Sequence, residues 1–174
     1  AEHDENAQSI LITDSDNVVK AVTEQVEIIL KNLSRSKIAG KSWNDNGAII
    51  KVPNLDMAAE LSNRIAPEHL ELCVSNPENL AKKISNAGAI FLGHWTPEAV
   101  GDYVTGPNHV LPTSRSARFS SGLSVMEFLK RTTLAKVSRD AILKIGPSAV
   151  TLANSEGLEC HGLSISERMK PNAE

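Results

Sequence analysis

The sequence lacks the features that mark several classes of protein. No stretch approaches the roughly 18 apolar residues that a membrane-spanning helix needs, and the first residues do not form a basic segment followed by an apolar one. Aromatic residues make up only 3% of the 174 residues, and the formal net charge is −3. No run of Lys or Arg is interleaved with aromatic residues. We therefore expect neither membrane insertion nor nucleic-acid binding.

Cysteine is also scarce, because Cys73 and Cys160 are the only two in the sequence. They lie far apart, and neither belongs to a CxxC pair. Cys73 falls in an apolar run, where a thiol is typically a small buried side chain. This pattern predicts a reduced protein of the cytoplasmic type.

The composition that remains is typical of a globular protein. Apolar residues make up 41% and charged residues 22% of the chain, both near the averages for folded domains. The length suffices for one domain with a core, or for one domain and a small appendage.

Strand and helix patterns alternate along the first half of the chain. Short apolar runs predict strands at residues 9–13, 47–52, 69–74 and 88–93. Apolar residues at spacings of three and four, each set preceded by a capping residue, predict helices within residues 18–33, 55–61 and 80–84. Strands that alternate with helices indicate βαβ units and a largely parallel sheet, so the fold class is α/β.

The alternation stops near Gly93. Residues 101–113 contain two glycines and two prolines, which predict a loop. Residues 139–153 have helical spacing that Gly146 and Pro147 should kink or divide, and a last short helix is predicted at 164–169. Residues 125–174 have too little apolar surface to fold alone. We therefore predict an α/β portion at 1–124 and a C-terminal helical arm at 125–174 that packs against another surface.

The loop at residues 101–113 carries two side chains that suit a cation. A turn at residues 106–108 could bring Asp102 and His109 together as an oxygen and a nitrogen donor. The alternative is that Asp102 caps a turn and that His109 is a solvated side chain.

Glu68 and His69 place a carboxylate beside an imidazole at the start of the third predicted strand. Neighbouring residues on a strand point to opposite faces, but a turn at Pro67 could direct both to one side. Ligands in open α/β sheets bind at the carboxyl ends of the strands. The pair lies on a loop that leads into a strand, and its two side chains make it a candidate catalytic site. The alternative is a turn with two solvated charges.

Several longer motifs occur in a characteristic order. They are Ala-Pro-Glu-His-Leu-Glu-Leu (66–72), Asn-Ala-Gly-Ala-Ile-Phe-Leu-Gly (86–93), Thr-Pro-Glu-Ala-Val-Gly-Asp-Tyr (96–103), Asn-His-Val-Leu-Pro-Thr (108–113) and Glu-Gly-Leu-Glu-Cys-His-Gly (156–162). In this order they resemble the histidinol dehydrogenase family over essentially the whole chain. The resemblance implies the C-terminal portion of a longer enzyme, with a Rossmann-like parallel-sheet half domain.

The resemblance also implies an activity. Members of the family oxidise L-histidinol to L-histidine, the last step of histidine biosynthesis, by two hydride transfers to NAD through bound L-histidinal. They hold a Zn²⁺ ion that grips the substrate, and they are homodimers in which the tail of one chain completes the active site of the other. The alternatives are a dehydrogenase of a related amino alcohol or sulfonated diol, and a zinc-binding or dimerisation fragment without activity alone.

Individual residues match the roles known in the family. Glu68 and His69 match the catalytic pair, in which the histidine takes the alcohol proton and the glutamate activates water. The zinc ligands implied are His3, Asp102 and His161. The substrate contacts implied are His3, His69, Asp102, His109, Glu156 and His161. A glutamine that ligates zinc in the family would precede Ala1, and the NAD-binding residues are expected outside this chain.

Overall fold

The chain folds into two compact units, as a computed structural model that describes residues 1–171 shows. The first unit is Ala1–Phe128, and the second begins at Leu129. The sequence predicted a boundary after residue 124. Within the described residues, no helix is both long and apolar enough to cross a membrane.

The first unit alternates strands with helices, so the α/β class predicted from the sequence is confirmed. Its elements are β1 (Ile10–Thr13), α1 (Asp16–Asn32), α2 (Ser36–Asn46), β2 (Ala48–Lys51), α3 (Leu55–Ile65), β3 (His69–Leu72), α4 (Pro77–Ala81), β4 (Ala89–Leu92) and α5 (Glu98–Tyr103). Two short 3-10 helices follow, at Ser116–Arg118 and Val125–Phe128.

The strands form two parallel pairs. β1 pairs with β2, with Ile10 opposite Ala48, and β3 pairs with β4, with His69 opposite Ala89. Parallel pairing follows because a helical crossover joins the two strands of each pair. In the described part of the chain these pairs are two separate two-stranded sheets.

Capping side chains begin three helices of the first unit, as the sequence indicated. The side chains of Ser15, Asn54 and Asn76 each accept a hydrogen bond from a backbone N–H in the first turn of α1, α3 and α4. These bonds satisfy N–H groups that have no partner within a helix. A small core of Ala59, Leu72 and Leu80 then joins α3, β3 and α4.

Helix α2 gave no signal in the sequence, and it secures the N-terminal segment. Its buried residues are Ala39 and Ser42, too small to make an apolar stripe. The Ser42 hydroxyl donates a 2.8 Å hydrogen bond to the Ala7 carbonyl. Arg35, just before the helix, donates to the Glu2 and His3 carbonyls at 2.7 and 3.3 Å. The polar start of the chain is therefore tied to α2.

The second unit is a pair of helices, α6 (Arg139–Ser155) and α7 (Glu159–Met169). Of the two outcomes predicted for residues 146–147, a kink or a division, the division does not occur, because Pro147 lies inside one continuous helix. Proline removes one helical hydrogen bond, whereas Gly146 lets α7 approach closely: a Cβ there would lie 2.5 Å from the Met169 sulfur. Tight packing of the two helices offsets the lost bond.

Candidate active site and metal centre

The turn that precedes β3 is fixed by close backbone contacts. Ala66 ends α3 in the left-handed conformation, with φ of 54°, and is only 1% exposed. The Ala89 N–H donates a 2.9 Å hydrogen bond to the Glu68 carbonyl. A Cβ at Gly88 would lie 2.5 Å from that carbonyl, so this approach requires glycine. These contacts fix the backbone that carries Glu68 and His69.

Helix α5 packs over the face of β3 that carries His69. Gly101 is buried in α5, and a Cβ there would overlap the ring of Phe91 on β4. The Phe91 ring in turn lies beside the His69 imidazole, with 6.1 Å between the ring centroids. Glu98 and Asp102 are four residues apart on α5 and therefore share one face of the helix. That face meets His69.

Three side chains converge where α5 meets β3. The His69 Nε2 atom lies 3.6 Å from a Glu98 carboxylate oxygen and 4.0 Å from an Asp102 carboxylate oxygen. One ligand atom from each of the three residues lies within 4.8 Å of the other two. The Nε2 atom is buried and, within the described structure, has no hydrogen-bond partner. A buried nitrogen without a partner is costly, so it is available to a ligand or substrate.

The two carboxylates of α5 influence one another. Partial burial raises the pKa of the Glu98 carboxyl, and the hydrogen bond and negative charge of Asp102 raise it further. The imidazoles of His69 and His3 act on the same pKa in the opposite direction. Two carboxylates that share a site favour a bound proton or a bound cation.

His3 belongs to the surroundings of this cluster, since its imidazole affects the Glu98 carboxyl. The hydrogen bonds from α2 to the first residues of the chain fix its backbone. Three side chains of the first unit, those of His3, His69 and Asp102, therefore act on the pKa of the Glu98 carboxyl.

Asp102 and His109 line the same cavity, which has a volume of about 200 Å³. Its walls include Phe91, Thr96 and Leu111, so the space is largely apolar beside one carboxylate and one imidazole. The Val110 N–H donates a 2.8 Å hydrogen bond to the Asn108 side chain, which stabilises the backbone around His109. From the sequence, a turn at residues 106–108 was expected to bring Asp102 and His109 together.

Part of the segment predicted as a loop is helical. Residues 101–103 form the end of α5, so Asp102 lies on a helix. Residues 104–113 are outside helices and strands, as expected. This difference explains why the sequence did not identify Glu98. Its signal was the spacing of four residues between Glu98 and Asp102, which matters only if both lie on one helix.

Of the remaining candidate residues, Glu68 belongs to the first unit, and Glu156 and His161 belong to the second. Glu68 is half-buried and precedes β3, and the described group of three converging ligands does not include it. Glu156 follows α6, and His161 lies in the first turns of α7 beside Cys160 and Ser164. Both side chains are exposed.

Cys73 differs from its prediction, because its side chain is exposed rather than buried. Its partial desolvation raises the pKa of the thiol, and the negative charge of nearby Glu71 raises it further. Cys73 is therefore held as a neutral thiol, which is a poor metal ligand and nucleophile.

The cluster has the donor chemistry of a zinc site. Imidazole nitrogen and carboxylate oxygen are ligands of Zn²⁺ in catalytic sites, which keep a position open for substrate. The paired carboxylates fit a divalent cation, and the Nε2 atom, which has no hydrogen-bond partner among residues 1–171, fits the polar group of a substrate.

Comparisons with known proteins agree on one family. The model of the family described as histidinol dehydrogenase matches residues 1–169. Histidinol dehydrogenase of Ruegeria pomeroyi is 65% identical over 169 residues, which are 97% of this chain and 39% of that protein. The enzyme of the same name from Cereibacter sphaeroides is 63% identical, with the same coverage. The chain therefore spans about two fifths of the length of these relatives.

A solved structure gives the same result for the fold. The crystal structure of histidinol dehydrogenase from Elizabethkingia anophelis matches this chain with a TM-score of 0.82 at 38% sequence identity. The match covers 97% of this chain and 39% of that one.

Proposed function

Because the chain belongs to the histidinol dehydrogenase family, we propose that it forms the C-terminal part of an enzyme that oxidises L-histidinol to L-histidine. In this proposal NAD accepts two hydrides, L-histidinal stays bound between the two steps, and the reaction completes histidine biosynthesis. The observation that carries the proposal is the convergence of His69, Glu98 and Asp102 beside the cavity that Asp102 and His109 line. We expect the NAD site to lie mainly outside this chain, and the enzyme to be cytoplasmic.

His69 acts as the base of the first oxidation. An alcohol must lose the proton of its hydroxyl as hydride leaves its carbon, and a neutral imidazole accepts that proton near neutral pH. The unpartnered and buried Nε2 atom supports this role, and the adjacent carboxylates stabilise the imidazolium that forms.

Glu68 acts in the second oxidation. Water adds to the bound aldehyde to give a hydrate, and a second hydride then leaves the same carbon to yield the carboxylate. The addition needs a base for the proton of the water. Glu68 is adjacent to His69 in a turn whose backbone is fixed on both sides, which supports this role.

A Zn²⁺ ion fits the donors of the site. We propose that His3, Asp102 and His161 hold it together with a glutamine that precedes Ala1, and that His109 and Glu156 contact the substrate. The bound ion would supply a Lewis acid that orients the substrate. The effect of His3 and Asp102 on the pKa of the Glu98 carboxyl supports the first two ligands.

The enzyme is a homodimer in this proposal, and the second unit of one chain completes the site of the other. Glu156 and His161 both belong to the second unit, where apolar side chains such as Leu134, Ile145 and Leu152 are 92%, 57% and 66% exposed. Apolar surface of this kind is typical of a segment that packs against another subunit.

The test is to assay the full-length enzyme separately with histidinol and with histidinal. We expect His69→Ala to slow the oxidation of histidinol by roughly 10²–10⁴-fold, because the hydroxyl proton then has no acceptor. Glu68→Gln should slow the oxidation of histidinal more than that of histidinol, since it removes the base for water.

The matched control is His94→Ala, which removes an exposed imidazole outside the cluster and should leave both rates unchanged. A wild-type enzyme that oxidised other amino alcohols or sulfonated diols faster than histidinol would refute the proposed substrate. Equal effects of Glu68→Gln on both assays would refute the division of roles between Glu68 and His69.

A further inference from the structure

Helix α5 begins without a capping side chain of its own. The residue at its N-cap is Pro97, which offers no side-chain acceptor to the first turn. The backbone N–H groups at the start of a helix have no partner within the helix and require one from elsewhere. The first of these groups in α5 belongs to Glu98, a member of the cluster at His69.

Glu71 supplies the missing acceptor from another element. One oxygen of its carboxylate accepts a hydrogen bond from the Glu98 N–H at 2.6 Å. Glu71 lies on β3, two residues after His69, and side chains two residues apart on a strand point to the same face. The face of β3 that presents His69 to α5 therefore also presents the acceptor that caps α5.

Electrostatics, in addition to geometry, favours the hydrogen bond between Glu71 and the start of α5. The N-terminus of a helix carries a partial positive charge, which a carboxylate stabilises. The Glu71 side chain is exposed, but capping bonds commonly stabilise helices while exposed to solvent. Among the described residues, this is the only hydrogen bond between the Glu71 side chain and α5.

We propose that Glu71 is a positioning residue, which holds the start of α5 and thereby sets the distance of Glu98 and Asp102 from His69. The proposal rests on the proposed function of this site. Helix α5 has only six residues and little burial besides Gly101, so its own contacts hold it weakly. Among the contacts that set its position relative to His69 are the packing of Gly101 on Phe91 and the bond from Glu71. The Thr96 hydroxyl, just before the helix, also donates a 2.8 Å hydrogen bond to the Leu92 carbonyl.

Three variants of Glu71 in the full-length enzyme distinguish the effect of side-chain length from the effect of charge. Glu71→Gln keeps an oxygen acceptor at the same distance without the charge. Glu71→Asp keeps the charge but withdraws the carboxylate by one methylene. Glu71→Ala removes both. A positioning bond predicts that the Gln variant resembles wild type while the Asp and Ala variants do not, whereas a purely electrostatic role predicts the reverse order for Gln and Asp.

The first measurement is hydrogen–deuterium exchange of the peptide that covers residues 96–104. We expect exchange there to be several-fold faster in the Asp and Ala variants and close to wild type in the Gln variant, since a lost cap frees the first turn. Glu60→Ala, which removes an exposed carboxylate from α3, is the matched control and should leave this peptide unchanged.

The second measurement is kinetic. A displaced α5 should lower kcat for histidinol by about 10- to 100-fold in the Asp and Ala variants with a smaller change in KM, because small misplacements of reacting groups are costly. Zinc affinity should fall by about tenfold in the same variants, since support of a metal ligand is lost. The Gln variant should restore both to within about threefold of wild type.

The outcomes distinguish the two proposals. If wild-type enzyme does not act on histidinol, the proposed function fails, while exchange and zinc affinity still decide the role of Glu71. Unchanged exchange in the Asp and Ala variants overturns the positioning role. So does faster exchange with unaltered kcat and zinc affinity in an enzyme that is active on histidinol.

Discussion

Gly101 sets how closely α5 approaches the strand that carries His69. It is buried, and a Cβ at this position would overlap the Phe91 ring. That ring already lies against the His69 imidazole. The absence of a side chain at residue 101 therefore determines the separation between Asp102, its neighbour, and His69.

We predict that Gly101→Ala destabilises the enzyme and lowers its activity. The added methyl group forces either Phe91 or α5 to move, and overpacking of this kind costs about 1–3 kcal/mol. Thermal unfolding should shift to a lower temperature, and kcat for histidinol should fall because Asp102 is displaced with the helix.

The control is the same substitution at Gly40, within α2. A Cβ at Gly40 meets no atom within 4 Å, so Gly40→Ala should raise the unfolding temperature through the greater helix propensity of alanine, about 0.5–1 kcal/mol. Equal effects at the two positions would show that close packing at Gly101 does not matter.

Some residues of the candidate site could be proposed from the sequence, and others could not. Asp102, His109 and His69 were identifiable because an imidazole or a carboxylate beside a turn is conspicuous. Glu98 and Glu71 were not, because each acts through a partner that only the fold brings close. The partner of Glu71 is a backbone N–H on a helix 27 positions further along, and no spacing in the sequence encodes that contact.

The end of α3 is a second element that the rest of the fold holds in place. The Arg115 guanidinium donates hydrogen bonds to the Ile65 and Arg64 carbonyls at 3.3 and 2.7 Å, and Arg118 donates to Arg64 as well. These carbonyls belong to the last turn of α3, directly before the turn that carries Glu68 and His69. Arg115 itself has a φ of 66°, a conformation that L-residues rarely adopt.

Substitution of Arg115 should separate these two effects. Arg115→Ala loses the bonds to the two carbonyls, and we expect a cost of about 1 kcal/mol because the side chain is exposed. Arg115→Gly loses the same bonds but relieves the positive φ, worth about 1 kcal/mol, and should therefore unfold later than the Ala variant. Urea unfolding of both variants measures the difference.

Arg115→Lys completes this series. A lysine donates from a single ammonium group and does not reproduce the planar fork of a guanidinium that bridges two carbonyls. It should unfold between the Ala variant and wild type. A lysine variant as stable as wild type would show that charge near the end of α3, rather than the paired bonds, is what stabilises it.

At the scale of elements, the sequence indicated those with strong periodicity. β1–β4 were predicted from short apolar runs, and α1 and α3 were predicted from apolar spacings of three and four residues that follow a capping residue. Helix α2 was missed because its buried side chains are Ala39 and Ser42. A division of α6 at Pro147 was one of two predicted outcomes and does not occur, because a local rule about proline does not include the packing of α7.

At the scale of the molecule, the proposed site residues are divided between the two units. His3, His69, Asp102 and His109 belong to the first unit, and Glu156 and His161 to the second. The sequence could indicate this division through the shortage of apolar residues in the tail. Whether the second unit completes the site of its own chain or of another depends on the proposed dimer, which a single chain does not contain.

Mixing two inactive variants tests whether the sites are shared between subunits. Full-length His69→Ala and full-length His161→Ala should each be inactive, and mixed dimers should recover activity because one of their two sites has every residue intact. With random exchange about half the dimers are mixed, so roughly a quarter of wild-type activity is expected.

A mixture of His69→Ala with Asp102→Ala is the control, since both changes lie in the first unit and no mixed dimer gains an intact site. Recovery in the first mixture alone supports shared sites. No recovery in either mixture, with subunit exchange demonstrated, would mean that each second unit completes the site of its own chain.

The attachment of the first residues to α2 has a consequence for how this region tolerates change. Arg35, Ser42 and Asn46 donate from their side chains, whereas the acceptors at Glu2, His3, Glu5 and Ala7 are backbone carbonyls. Every amino acid has the same backbone carbonyl. Substitutions at residues 2, 5 and 7 should therefore preserve these hydrogen bonds. The three donor positions have no such freedom. Among related proteins we therefore expect more amino-acid substitutions at residues 2, 5 and 7 than at residues 35, 42 and 46.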